Sequence, residues 1–255
     1  MRILLSNDDG YHAPGLAVLE KIAAELSDDV WIVAPSEEQS GTGRSLTLTR
    51  PLRVRNFAER RFAVTGTPTD AVMIALAELM DGAPDLILSG VNRGGNLAED
   101  VMYSGTVSAA LEGALAGIRS IALSQRYSAL QPGDDVSFAV AEQWGVRAIQ
   151  PLLDADCAPR TIVNVNFPAS ELDEVRGIKV VRQGLRDYGR VRFETRKDPR
   201  GFDYHWLALG AMRGDPAPDS DLAAVADGWI TVTPLHLDLT HEASLASLAR
   251  VYCGE

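Results

Sequence analysis

Short apolar runs, most of them β-branched or aliphatic, recur along the chain at Ile3–Leu5, Val30–Val33, Phe62–Val64, Leu86–Leu88, Ile121–Leu123, Ile162–Val165 and Ile178–Val181. Such runs, bounded by polar or turn-forming residues, predict buried strands. Segments with helical spacing of apolar residues separate several of them: Gly15–Leu26, Thr69–Met80, Thr106–Ala116 and Val136–Leu153. The last three follow Pro68, Ser104-Gly105 and Gly133-Asp134-Asp135, which suit helix starts. Strands alternating with helices predict an α/β fold: a doubly wound, mostly parallel sheet with helices on both faces and right-handed crossovers.

The texture changes near residue 183. Gln183–Asp203 has no apolar period and carries six Arg or Lys among four acids. Tyr204–Leu209 and Trp229–Thr233 then read as strands, Gly214–Pro218 as a loop, and Glu242–Val251 as a short amphipathic helix on Leu245 and Leu248. The chain thus divides into an α/β catalytic core, 1–182, and a C-terminal β-rich extension, 183–255, with a charged hairpin, strands and a terminal helix.

Composition narrows the function classes. At 255 residues with 46% hydrophobic content, the chain can bury a full core without a disulfide or metal staple. A formal net charge of −11 argues against DNA, RNA or an anionic membrane as partner. A phosphate ligand would then need local neutralisation, for which a divalent cation held by carboxylates is the direct solution. Cys157 and Cys253 show neither zinc nor disulfide spacing. No signal-peptide pattern and no apolar stretch near the roughly 20 residues of a membrane span is present. A cytoplasmic protein is expected.

The candidate chemistry begins at Ser6-Asn7-Asp8-Asp9-Gly10, where the first apolar run ends in two carboxylates and a glycine. Open α/β sheets place their sites at the carboxyl ends of strands. Both carboxylates can serve one site only if the chain leaves the strand near Asp8, which Gly10 permits; a solvated Asx-turn is the plain alternative. Ser40 lies in a small-residue loop after the second run, as a site residue or a turn former. Leu86–Leu88 leads into Ser89-Gly90-Val91-Asn92-Arg93-Gly94-Gly95-Asn96, where Asn92 and Asn96 offer amide oxygens or simply form turns. Two carboxylates, one amide and one hydroxyl suit Mg²⁺ or Mn²⁺. Ser104-Gly105-Thr106 opens an Ala-rich helix, as an anion site of free amides and hydroxyls or as a plain N-cap. Gly66-Thr67-Pro68-Thr69-Asp70 reads as a cap. His12 is near enough in sequence to the aspartates for a shuttle, though an exposed loop histidine is the simpler reading. The phosphate-loop, dinucleotide, zinc-peptidase and nucleophile-elbow motifs are absent.

Taken together in order and spacing, these segments resemble survival protein SurE, a metal-dependent 5′-nucleotidase family. Gln39-Ser40-Gly41, Tyr103-Ser104-Gly105-Thr106-Val107, Asp198-Pro199-Arg200-Gly201 and Thr231-Val232-Thr233-Pro234-Leu235 add to the likeness, which covers nearly the whole chain. The resemblance implies a Rossmann-like core and one divalent cation per subunit, Mn²⁺ or Mg²⁺, on Asp8, Asp9, Ser40 and Asn92. It implies phosphate binding near Asn96, Ser104, Gly105 and Thr106. The implied reaction is release of phosphate from nucleoside 5′-monophosphates, with 3′-monophosphates and short polyphosphate as further substrates. It also implies a homodimer or homotetramer whose C-terminal segments reach a partner. Asp8 and Asp9 are the catalytic candidates, either through metal-assisted attack of water or through an aspartyl nucleophile. The rival readings are a phosphoacceptor switch and a non-catalytic nucleotide-binding module.

Overall fold

In a computed structural model, residues 1–128, 135–186, 191–209 and 215–253 are described. The predicted runs form strands β1 (Arg2–Ser6), β2 (Asp29–Pro35), β4 (Arg61–Val64), β5 (Leu86–Arg93), β6 (Arg119–Gln125), β7 (Thr161–Phe167) and β8 (Gly177–Val180). Two strands unforeseen from the apolar pattern are β3 (Val54–Ala58), exposed throughout its length, and β9 (Val191–Lys197). The two late strands are β10 (Asp203–Leu209) and β11 (Trp229–His236).

Nine strands make one sheet in the order β3-β4-β2-β1-β5-β6-β7-β11-β8. All neighbours from β4 to β7 are parallel; β11 is antiparallel to β7, and β3 to β4. The direction of winding reverses at β1, flanked by β2 on one side and β5 on the other. That reversal leaves a crevice beyond the carboxyl ends of β1 and β5, where such sheets bind ligands. The charged stretch after Gln183 supplies one arm of a separate ribbon, because β9 pairs antiparallel with β10 from Lys197↔Asp203 to Val191↔Leu209. β11, by contrast, enters the main sheet and buries Ile230, Val232 and Leu235.

Helices cover both faces. Helix α1 (Pro14–Leu26) and α4 (Ala139–Leu153) pack with Ile3, Leu5, Leu88 and Leu123 on one side. Helix α2 (Pro68–Ile74) and α3 (Gly105–Leu115) cover Leu4, Val33 and Ile87 on the other. Alternate residues of each strand feed opposite faces, the period-two rule that makes both faces apolar. The Thr69–Met80 segment is helical as expected, but it widens to a π-helix over Ala75–Leu79. The segment expected from Val136 starts its helix at Ala139; Gly133 and Asp134 lie outside the described residues, as does Gly214. A short α5 (Asp221–Ala226) and a terminal α6 (Glu242–Cys253) complete the elements. No helix among the described residues is long and apolar enough to cross a membrane.

Candidate active site

The chain leaves β1 after Ser6, so Asp8 and Asp9 lie in a bend and not on alternating faces of a strand. Gly10 has φ +100°, a conformation that a residue with a Cβ rarely adopts, and Asn7 Nδ2 donates to its carbonyl at 2.8 Å to brace the turn. The two carboxylates then face different surroundings.

Asp8 is 3% exposed and accepts a hydrogen bond from the Thr106 hydroxyl. Burial raises its pKa, against the opposing pull of the Thr106 hydroxyl and the backbone amides of Thr106 and Gly105. Those amides begin α3, so the positive end of the helix is turned toward the carboxylate. Gly105 permits the approach: a Cβ there would stand 2.7 Å from Asp8 Cβ and 2.9 Å from Pro68 Cγ. Asp9 accepts from the backbone N–H of Arg93 at 2.9 Å, which ties the β1 turn to the end of β5 beside Asn92. Burial and then the charge of Asp8 push its pKa up to about 6.

Ser40 approaches from a third direction. The backbone N–H of Gln39 donates to Asp8 O at 2.7 Å, and Gly43 N–H donates to Tyr103 O at 3.0 Å, so the loop after β2 is pinned beside the β1 turn and the start of α3. The Ser40 hydroxyl donates to Glu38 Oε1 at 2.9 Å, leaving its lone pairs as the accepting end. Asn92 commits its amide nitrogen to Gly94 O at 2.8 Å, so its carbonyl oxygen is the atom left to bind a cation.

These four side chains fit a hard divalent cation on their chemistry. They offer carboxylate, hydroxyl and amide oxygens, and among the described residues no Lys or Arg pairs with the buried Asp8. A buried carboxylate beside a second carboxylate is costly unless a positive charge meets it. Among the described residues no group of three His, Cys, Asp or Glu gathers, as expected where half the donors are Ser and Asn.

The expected phosphate residues divide. Ser104 caps α3, its hydroxyl accepting from Val107 N–H at 3.0 Å, while the Thr106 hydroxyl is given to Asp8. The structure therefore spends both hydroxyls locally, and the helix-start amides of Gly105 and Thr106 face Asp8. Asn96 is set apart from the carboxylates in a buried amide network. Its Nδ2 donates to Ser124 Oγ at 2.8 Å, its backbone N–H donates to Asn166 Oδ1 at 2.8 Å, and its carbonyl accepts from Asn164 and Asn166 at 2.8 and 3.1 Å. Thr67 and Asp70 form a reciprocal capping box at the start of α2, as expected. His12 is exposed, its ring edge-on to Tyr11 and Phe57.

Asn164, Asn166 and Arg93 went unremarked in the sequence. The signal for the first two is present in retrospect: Ile162-Val163-Asn164-Val165-Asn166 alternates polar and apolar positions in a strand that must be covered on both faces. Arg93 acts on Asp9 through its backbone N–H and also through its side-chain charge, which opposes the upward shift of the Asp9 pKa.

Comparisons with known proteins give the following likenesses. The family model described as "Survival protein SurE" matches residues 3–190. The chain is similar to "5′-nucleotidase SurE" of Rhizorhabdus wittichii, at 65% identity over 99% of this chain and 100% of the relative. It is also similar to "5′-nucleotidase SurE" of Erythrobacter litoralis, at 54% identity over 96% of this chain and 97% of that protein. The crystal structure of the SurE protein from Aquifex aeolicus superimposes with a TM-score of 0.84, at 38% identity over 99% of this chain and 100% of that one.

Proposed function

The chain belongs to the survival protein SurE family and is a 5′-nucleotidase, and we propose that its hydrolysis of nucleoside monophosphates depends on a divalent cation, Mg²⁺ or Mn²⁺, held by Asp8, Asp9, Ser40 and Asn92. The observation that carries this reading is the burial of Asp8 with no Lys or Arg pairing with it among the described residues, next to Asp9 at the winding reversal of the sheet. When bound, the cation supplies charge neutralisation and polarisation of the phosphoryl group.

The protein's own residues do the positioning. Thr106 holds Asp8 in one orientation through its hydroxyl, and the Arg93 backbone N–H does the same for Asp9. Phosphate binding is assigned to the start of α3 at Ser104, Gly105 and Thr106, where the amides of Gly105 and Thr106 already face Asp8, so that the anion and Asp8 share the positive end of the helix. Asn96 is assigned to the same anion by its rigid mounting, which leaves one amide hydrogen of Nδ2 uncommitted by the bond to Ser124.

Within residues 183–255, β11 completes the core, and the β9–β10 ribbon and α6 are assigned to self-association as a homodimer or homotetramer. The ribbon and α6 expose Phe202, Trp206, Leu207, Leu245, Leu248 and Tyr252, and clustered exposed apolar side chains mark interaction surfaces. Further substrates are 3′-monophosphates and short polyphosphate, and a cytoplasmic location accords with two cysteines far apart in sequence. The deciding experiment is phosphate release from 5′- and 3′-monophosphates and polyphosphate with Mn²⁺, with Mg²⁺ and with EDTA. Release that survives EDTA after exhaustive metal removal overturns the metal dependence.

A further inference from the structure

Besides a cavity of about 430 Å³ lined by Ser36, Gln39, Arg53 and Thr65, whose lining includes neither Asp8 nor Asp9, three cavities among the described residues are separated by their positions. The first, about 660 Å³, is lined by Arg119, Cys157 and Thr161, at the starts of β6 and β7 and hence at the edge of the sheet opposite Asp8. A second, about 280 Å³, lies under Tyr11 and Phe57, whose faces are already spent on each other at 4.5 Å. The third, about 510 Å³, has Asp9 itself in its wall.

We propose that this third cavity receives the nucleoside of the substrate, with Val136 and Phe138 as the wall for the base and Glu38 and Asp135 as acceptors for ribose hydroxyls. The inference rests on the nucleotidase reading above and goes beyond it by assigning the residues that choose the leaving group. Position is the first argument. Asp9, the neighbour of the buried Asp8, is in the wall of this cavity, so a leaving group extending from a phosphate held at the two carboxylates has this space beside it. Volume is the second, since the cavity falls in the ~300–1,000 Å³ range of small-molecule sites.

Chemistry is the third argument. The lining is mixed: Ala13 at the entry to α1 and the half-buried Val136 and Phe138 are apolar, and Glu38, Asp135 and Arg93 are charged. The Phe138 ring is held in place by α1, because a Cβ on Gly15 would come within 3.1 Å of its Cε1. Apolar side chains beside carboxylate acceptors suit a purine or pyrimidine on a ribose, whose hydroxyl and amino groups are donors. The carboxylates repel a second phosphate, so the site favours a neutral leaving group over a bisphosphate.

The test combines binding with turnover in the full chain. Adenosine is titrated calorimetrically into the metal-free wild type, Phe138→Ala and Ala13→Trp, and kcat/KM is measured with Mn²⁺ for AMP and for ribose 5-phosphate, which lacks the base. Circular dichroism confirms that each variant is folded; Ala13→Trp keeps the test open if Phe138→Ala is not. The wild type should bind adenosine, and each variant should weaken that binding and lower the AMP to ribose 5-phosphate ratio by about tenfold, the worth of one base-stacking contact. Absence of adenosine binding to the wild type, or unchanged affinity and ratio in the folded variants, overturns the assignment. An enzyme that releases no phosphate from any ester overturns the nucleotidase reading instead, and the adenosine titration then still decides the cavity.

Discussion

Asn166 and the backbone of Asn96 exchange two hydrogen bonds, Oδ1 accepting from the Asn96 N–H at 2.8 Å and Nδ2 donating to its carbonyl at 3.1 Å. One side chain on β7 thus acts toward the loop after β5 as a neighbouring strand would. Asn166→Ala leaves the Asn96 N–H buried without that partner, which costs about 1–3 kcal/mol. Chemical denaturation should show this loss, and steady-state kinetics should show KM raised more than kcat is lowered. A variant with unchanged stability and unchanged KM would remove Asn96 from the phosphate site.

The carboxylate of Asp9 makes the metal-free protein pH-sensitive. Its folded pKa is about 6, raised above the ~3.9 of an unfolded aspartate. Between those values the folded state binds more protons than the unfolded one, so this contribution is full below about pH 4 and is lost as pH rises through about 6. Thermal unfolding in EDTA should show Tm falling over that interval, and Asp9→Asn should flatten the fall.

Asp8→Asn and Asp9→Asn should each reduce metal-dependent turnover by more than about 100-fold, beyond the usual cost of losing a residue that only orients a ligand. Asp8→Asn should at the same time stabilise the metal-free protein near neutral pH, because it removes a buried carboxylate with no cationic partner among the described residues. Phosphate-release assays and thermal unfolding of the same preparations check both halves; wild-type rates in both variants would sink the site.

Gly105→Ala places a methyl 2.7 Å from Asp8 Cβ. The overlap should cost about 1–3 kcal/mol and displace Asp8 from the Thr106 hydroxyl. Loss of activity in a protein that remains folded by circular dichroism is the expected result. Activity equal to wild type would mean that Asp8 and the start of α3 need no close approach.

Self-association through the ribbon predicts that Trp206→Ser, at a position 62% exposed, lowers the mass seen by light scattering while leaving the circular dichroism spectrum unchanged. An unchanged mass would assign the assembly to another face.

The alternation of apolar runs with helical periods determined the layer order, since a strand with two apolar faces can be satisfied only by helices on both sides. The same pattern could not show β3, whose residues are all exposed, or β9, whose charged ribbon never meets the core. Boundaries at Ala139 and the π-helical widening after Ile74 depend on local hydrogen bonding that composition does not encode.

For the site, the sequence by itself supplied the candidate donors: Asp8, Asp9, Ser40, Asn92 and the Ser104-Gly105-Thr106 helix start all stand in or next to a turn that follows an apolar run or precedes a helix. Only the tertiary structure decided how they are used. It gave the Thr106 hydroxyl to Asp8 and the Ser104 hydroxyl to the cap, mounted Asn96 on Asn164 and Asn166 nearly seventy residues away, and set Phe138 beside Asp9. The reason is physical: which atoms are present is a property of the chain. Which of them are desolvated, paired or left free is fixed only when distant segments exclude water from one another.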